Sequence, residues 1–254
     1  MKFKEKDFVL TTENEKSPIL ITVPHGGMSA RYGSWLETFF KKRTKPENEN
    51  PIIKTEKVVL GGDGQILHIV MDVLKKYEAN TVTGLLPRCF VDYNRFLRHV
   101  AYDDENIRPF YDAYHYAIRK KLEKMLTNHK FVHLLDLHGF GRQPIEGKEF
   151  DIILGTNGES SPREIDKFFY RSLKRKYKIF SAGMDDCGDE TIYRGDTTNL
   201  YYHHKYGIDT MLVEISPKFR SSKKLDSKQF GQELSQDLAI FLKKLDKRAK
   251  KSGL

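Results

Sequence analysis

The sequence contains little cysteine: Cys89 and Cys187 are the two in 254 residues, and no CxxC pair occurs. A zinc knuckle built on cysteine pairs is therefore excluded. The two thiols could form one disulfide, although free thiols in a reducing cytosol are the expected state. The cysteine content thus favours an intracellular location.

Long apolar runs are also missing. No stretch approaches the roughly 18 residues that a membrane helix needs, and residues 1–6 are charged and lack the apolar core of a signal peptide. A chain of 254 residues can form one large domain with a well-buried core. We therefore expect a soluble cytoplasmic protein without a membrane partner, with a single domain over residues 1–247 and a basic frayed tail over residues 248–254.

Acidic residues are outnumbered by basic ones, and the net charge is +9 with a pI near 9.3. Much of the excess lies in two runs, residues 41–43 and 243–251, and such runs are usually solvated surfaces or chain ends. Single-stranded nucleic-acid binding would require aromatic residues among the basic ones, and the second run has none. The charge therefore favours a small anionic substrate, which it would steer, over nucleic acid.

Strand-like apolar runs alternate with segments of helical spacing. The predicted strands are Ile19–Val23, Thr81–Leu86, Val132–Leu137, Asp151–Leu154 and Thr210–Ile215. The predicted helices are Gln65–Tyr77, Asn106–Leu126, Pro162–Lys176 and Lys228–Leu245. This alternation predicts an α/β fold, in which a mostly parallel or mixed central sheet is covered by helices on both faces.

Two histidines stand at the ends of strand-like runs. His25 follows Ile19–Val23 and precedes two glycines, and His138 closes Val132–Leu137. Parallel strands end at one crevice, where ligands bind, and imidazole there can hold a metal ion or move a proton. Asp136 lies on the same side of its strand as His138, so its carboxylate could orient a metal-bound imidazole. The same pattern also fits a salt-bridged histidine.

Two carboxylates could complete such a site. Asp63, between glycines and just before a predicted helix, could be a metal ligand or a plain helix N-cap. Glu214 lies inside the apolar strand Thr210–Ile215, where burial is costly unless the carboxylate is paired or functional. It could serve as a general base or form a salt bridge with a neighbouring cation.

The segment from Arg88 to Arg95 concentrates polar groups. Arg88, Asn94 and Arg95 could bind a substrate carboxylate through guanidinium and amide donors. Alternatively, Arg88 could simply pair with Asp92. The sequence leaves both interpretations open.

Together these segments resemble the N-formylglutamate amidohydrolase family, which is related to zinc carboxypeptidases and aspartoacylases. The matching motifs occur in the family's order, as Pro24-His25-Gly26-Gly27, Asp63-Gly64, Arg88 through Asp92-Tyr93-Asn94-Arg95, Asp136-Leu137-His138, Tyr193-Arg194-Gly195-Asp196-Thr197-Thr198 and Val213-Glu214-Ile215. The pattern departs from the family at Gly26 and Gly139, where serine is frequent, at Tyr93 for a leucine, and at Asp196 for a second glycine.

The resemblance implies a phosphorylase/hydrolase-like, zinc-carboxypeptidase-like fold and one Zn²⁺ per chain, held by His25, Asp63 and His138. It assigns Glu214 as general base and Arg88 as oxyanion stabiliser. Asp136 would orient His138.

The resemblance also implies a set of substrate-binding residues and one residue that supports them. Asn94 and Arg95 would bind the substrate carboxylate, supported by Asp92. The late loop would add Tyr193, Arg194 and Thr197.

Two alternative functions fit the same motifs. A zinc carboxypeptidase acting on peptide or γ-glutamyl substrates would share these motifs, and a catalytically silent basic binding protein could use the same scaffold. His203 and His204 lie in a tyrosine-rich segment before the Glu214 strand and could form a substrate lid or be surface residues. The oligomeric state is not predicted.

Overall fold

The computed structural model describes residues 9–26, 66–86, 88, 91–95, 108–141, 148–155, 163–181, 196–220 and 225–252. Within these residues the chain forms one mixed seven-stranded sheet with α-helices packed on both faces. The predicted α/β architecture with a mixed central sheet is therefore confirmed.

The sheet is parallel in its centre and mixed towards its edges. Its strands are β1 (Val9–Thr12), β2 (Ile19–Val23), β3 (Asn80–Gly84), β4 (His133–Gly139), β5 (Ile152–Leu154), β6 (Ile179–Ser181) and β7 (Asp209–Ile215). They are arranged in the order β1-β3-β2-β4-β7-β5-β6. Strands β3, β2, β4 and β7 run parallel, whereas β1 and β5 pair antiparallel with β3 and β7.

The helices bury apolar stripes against the two faces of this sheet. They are α1 (Ile66–Leu74), α2 (Arg108–Asn128), α3 (Arg163–Leu173), α4 (Tyr201–Tyr206) and α5 (Leu225–Ser252). In α1 the buried residues Ile66, Ile69, Val70 and Val73 have the spacing of one helical face. Helices α1, α3 and α5 share one core with the sheet, and α2 and α4 share the other. None of the helices in the described residues is long and apolar enough to cross a bilayer.

The C-terminal helix is longer than the sequence predicted. Helix α5 continues to Ser252, beyond the predicted end at Leu245. Ala249 is buried, and Lys250 forms an ion pair with Asp246 one turn earlier. Residues 248–252, expected from the sequence to be a frayed tail, form the last turn of α5 in the structure, because its buried stripe extends one turn further than the apolar pattern alone suggested.

The strand order places a switch point at the middle of the sheet. Strand β2 lies between β3 and β4, so the chain passes from β2 through α1 to one side and then through α2 to the other. Where the strand order reverses in this way, a crevice opens at the carboxyl ends of the strands. The residues that follow β2 and β3 therefore meet the ends of β4 and β7 at one edge.

Candidate active site

His25 and His138 lie side by side at this carboxyl edge. His25 follows β2 by two residues, and His138 is the penultimate residue of β4. Their ring centroids are 5.2 Å apart, with the ring planes inclined by 73°. Both histidines are buried. The structure therefore brings together the two histidines that the strand-end pattern singled out.

Each imidazole is backed by a buried carboxylate. The Nε2 of His138 lies 3.0 Å from Oδ2 of Asp136, and the Nε2 of His25 lies 2.9 Å from Oδ1 of Asp92. The Thr22 hydroxyl donates to the second oxygen of Asp136 at 2.6 Å. When Nε2–H donates to a carboxylate, Nδ1 is the nitrogen through which the ring can ligate a metal ion.

Asp92 holds several side chains of the site in place. Its Oδ2 accepts a hydrogen bond from Nε of Arg88 and forms an ion pair with Nε of Arg95, each at 3.0 Å. Its Oδ1 accepts from the main-chain N–H of Asn94 at 3.1 Å. Burial acts to raise the pKa of the Asp92 carboxyl, but the hydrogen bond and charge of His25, together with the two arginines, hold that pKa well below its ordinary value. Asp92 therefore remains ionised, and the alternative that Arg88 pairs with it is realised.

Glu214 stands beside His138. The two residues are register partners in the parallel strands β4 and β7, and Glu214 is only 9% exposed. Neighbouring strands are separated by about 4.8 Å, so the backbone alone keeps this carboxylate close to the imidazole. A nearly buried carboxylate in that position can accept a proton from a water molecule held at the two histidines.

Some predicted site residues lie outside the described residues. These are Asp63, Tyr193 and Arg194; for Thr197 only the backbone is described, in the π-helix Asp196–Leu200. Among the described residues, no group of three His, Cys, Asp or Glu side chains is placed to hold a metal ion. His25 and His138 are thus the described part of the predicted metal site, and Asp63 as third ligand remains a prediction.

The structure adds polar residues that the sequence analysis missed. The Thr198 hydroxyl donates to Oδ1 of Asn94 at 3.1 Å, and Nδ2 of Asn199 lies 3.5 Å from Oδ2 of Asp136. Thr22, Thr198 and Asn199 are all completely buried. Thr22 could have been found, because it is the polar residue within the apolar run of β2. Thr198 closes the late-loop motif but had no role assigned to it, and Asn199 carried no signal, because the contacts of both depend on the π-helix.

Side chains of helix α2 form hydrogen bonds with the main chain of the segment 91–95. The Nε2 of His115 donates to the Tyr93 carbonyl at 3.0 Å, and its Nδ1 accepts from the Tyr202 hydroxyl at 2.9 Å. Burial lowers the pKa of His115 to about 4, so this imidazole is neutral near pH 7. The Tyr111 hydroxyl donates to the Arg95 carbonyl at 2.8 Å. Two side chains of α2 thus fix the main chain on either side of Asn94.

Two departures from the family pattern have steric causes. A side-chain carbon added at Gly26 would lie 2.6 Å from Cγ2 of Thr83, and the β-branched Thr83 side chain has few ways to move aside. A carbon added at Gly139 would collide with the guanidinium of Arg220. A side chain at either position would therefore force a neighbour to move, Thr83 at position 26 and the end of the Arg220 side chain at position 139.

His203 belongs to a different part of the molecule. Its Nδ1 donates to the Ile208 carbonyl at 2.7 Å, just before the start of β7, whereas Glu214 lies near the other end of that strand. His204 is exposed on the same short helix. The alternative of a surface position is therefore favoured over a lid at the catalytic edge.

Residues 98–219 match the N-formylglutamate amidohydrolase family. This segment contains Asp136, His138 and Glu214, and the resemblance inferred from the motifs is thereby confirmed. Comparison with curated proteins gives no significant match.

Solved structures show the same fold at low identity. The N-formylglutamate amidohydrolase from Ralstonia eutropha gives a TM-score of 0.67 at 15% identity, covering 96% of this chain and 99% of that one. A gene product from Agrobacterium tumefaciens gives a TM-score of 0.61 at 13% identity, covering 93% of this chain and 94% of its own. The family match and the shared fold together support a hydrolase of the amidohydrolase type.

Proposed function

We propose that this protein is a zinc-dependent hydrolase that cleaves the C–N amide bond of a small anionic N-acyl amino acid, with N-formylglutamate as the model substrate. The observation that carries the proposal is the pair of adjacent imidazoles, each backed by a buried carboxylate, with Glu214 as the register partner of one of them. This arrangement would supply two metal ligands and one general base at the same edge of the sheet.

The donor set fits zinc. Two imidazole nitrogens and one carboxylate, supplied by His25, His138 and Asp63, are a ligand set typical of catalytic zinc with an open fourth position. The carboxylates behind the imidazoles would strengthen ligation by fixing the ring orientation. When bound, zinc would lower the pKa of water and polarise the amide carbonyl.

Within this proposal the chain's own groups carry the proton and the developing charge. Glu214 would take a proton from the attacking water and deliver it to the leaving amine. Arg88 would donate to the oxyanion as it forms. Its Nε is fixed by Asp92 and its side chain is 43% exposed, so the guanidinium is both oriented and accessible to a substrate.

The substrate's acidic group would be recognised by the segment after β3. Arg95 is tied through Nε to Asp92, yet its side chain is 52% exposed, so its remaining donors can reach a carboxylate. Asn94 would add amide donors. Tyr193, Arg194 and Thr197 are proposed to line the substrate from the late loop, and the net charge of +9 would favour an anionic molecule.

Elemental analysis tests the metal proposal directly. We expect about one zinc per chain in the wild type and a loss of zinc in the His25→Ala/His138→Ala double variant. A matched control, His68→Ala/His204→Ala, removes two exposed histidines and should retain the metal. If the wild type binds no zinc even when zinc is supplied, the hydrolase proposal fails and the binding-scaffold alternative takes its place.

A further inference from the structure

The π-helix Asp196–Leu200 carries two buried polar residues, one next to the segment 91–95 and the other next to Asp136. Thr198 and Asn199 are completely buried and contact Asn94 and Asp136, respectively. π-Helical turns are rare and frequently occur at functional sites. We propose that Thr198 is a positioning residue that fixes the Asn94 amide as a hydrogen-bond donor toward a substrate carboxylate. This inference rests on the proposed function.

The direction of the hydrogen bond follows from its chemistry. The amide oxygen Oδ1 only accepts, so the Thr198 hydroxyl is the donor in the 3.1 Å contact with Asn94. With Oδ1 held by Thr198, the amide nitrogen and its two N–H groups lie on the opposite side of the Cβ–Cγ bond, within the amide plane. The main-chain N–H of Asn94 is fixed as well, by Asp92 at 3.1 Å, so rotation of the whole residue is restricted.

This orientation decides what the side chain can recognise. An asparagine that presents its nitrogen donates to a carboxylate, whereas the flipped amide would present an oxygen and repel it. Arg95 follows directly in sequence and brings positive charge to the same place. In the orientation held by the Thr198 hydroxyl, Asn94 and Arg95 both present donors.

Asn199 keeps the π-helix in the position that this contact needs. Its carbonyl accepts from the Thr210 hydroxyl at 2.9 Å, which attaches the π-helix to β7. Its side-chain nitrogen lies 3.5 Å from the same Asp136 oxygen that accepts from His138. Adjacent residues of one turn thus reach the substrate-binding segment and the carboxylate behind the proposed metal ligand.

Two substitutions separate the hydroxyl from the shape of the side chain. Thr198→Val removes the hydroxyl and keeps the β-branched volume, and Thr198→Ser keeps the hydroxyl. With an acidic N-acyl amino acid, we expect Thr198→Val to raise KM about tenfold with little change in kcat. Thr198→Ser should restore the wild-type KM. The corresponding substrate whose carboxylate is converted to a carboxamide should show no such difference, a readout that general loosening of the site would not give.

Three outcomes would each overturn the inference. They are an unchanged KM in Thr198→Val, an equal rise in KM for both substrates, and a KM in Thr198→Ser that differs from the wild-type value. If the wild type hydrolyses no N-acyl amino acid, the proposed function fails separately. Neutron diffraction of the wild type and Thr198→Val, which distinguishes the amide nitrogen from the oxygen, then decides. A flipped or disordered Asn94 amide in the variant supports the role of Thr198, and an unchanged amide refutes it.

Discussion

His138 and Glu214 are direct register partners in neighbouring parallel strands. No loop has to fold correctly to bring the proposed base beside the proposed metal ligand, because the β4–β7 pairing does so on its own. Asp136 lies two residues earlier on β4 and holds His138 at 3.0 Å. The regular pairing of β4 with β7 thus positions both the proposed base and one proposed metal ligand.

Glu214→Gln should abolish turnover while zinc remains bound. The substitution keeps the shape of the side chain but removes the proton acceptor, and positioned general bases contribute about 10²–10⁴-fold to rate. We expect kcat to fall by at least about 10²-fold with an unchanged zinc content by elemental analysis. Glu233→Gln, on the exposed side of α5, is the matched control and should have wild-type activity. Retained activity in Glu214→Gln would remove the base from the mechanism.

Arg95→Ala should mainly weaken substrate binding. Loss of the guanidinium should raise KM for an acidic substrate by roughly 10- to 100-fold, with a smaller effect on kcat. Arg95→Lys should be intermediate, because lysine keeps the charge but not the fork of donors. Arg108→Ala, which removes an exposed arginine of α2, should leave KM unchanged. An unaltered KM in Arg95→Ala would exclude this residue as the carboxylate ligand.

The sequence predicted the fold well because its signals are local. The apolar run of β2 and the helical spacing in α1 are visible in any short window, and both elements are found where they were expected. The strands β1 and β6 were missed, because both are short strands at the edges of the sheet and neither lies in a long apolar run. The end of α5 was missed because Ala249 is a weak apolar signal among lysines.

The sequence indicated candidate site residues only where the type of a residue and its position suggested a chemical role. His25, His138 and Glu214 stand out because polar groups at the ends of apolar strands are costly unless they are used. Thr198 gave no such signal, because threonine is common in turns and its partner Asn94 is distant in sequence. The contact arises from a π-helix that no short sequence pattern specifies.

Acid should destabilise the protein through His115. Its folded-state pKa of about 4 lies below the ordinary value of 6.5 because the ring is buried. As the pH falls from about 6.5 to about 4, His115 becomes protonated in the unfolded chain but stays neutral in the folded chain. The free energy of unfolding therefore decreases over this range, by about 3 kcal/mol in total. Below about pH 4 both states are protonated at this residue, and its contribution no longer changes.

Urea denaturation at a series of pH values measures this effect. His115→Gln should be less stable than the wild type at pH 7 and should depend less on pH between about 4 and 6.5. His68→Gln, at an exposed position of α1, should keep the wild-type slope. If His115→Gln retains the full wild-type slope, the buried imidazole is not the group that titrates.

Gly139→Ala should destabilise the protein through Arg220 rather than through the backbone. The Arg220 side chain joins the ends of two strands, with Nε donating to the Ile215 carbonyl at 2.9 Å and Nη2 to the Phe140 carbonyl at 2.7 Å. A methyl group at position 139 would occupy the place of the guanidinium and break both bonds. We expect a loss of about 1–3 kcal/mol in the free energy of unfolding.

A double-mutant cycle decides whether Arg220 is the cause. In an Arg220→Ala background the added methyl group meets no guanidinium, so Gly139→Ala should then cost much less, with a coupling of about 0.5–3 kcal/mol. Additive effects would instead locate the strain in β4 itself. Because residue 139 directly follows His138, zinc content measured across the same cycle also tests whether the Arg220 bridge holds the proposed ligand in place. Zinc lost in Arg220→Ala as well as in Gly139→Ala would show that the bridge holds His138 in place. Zinc lost in Gly139→Ala and regained in the double variant would show instead that the clash with the guanidinium, and not loss of the bridge, disturbs His138.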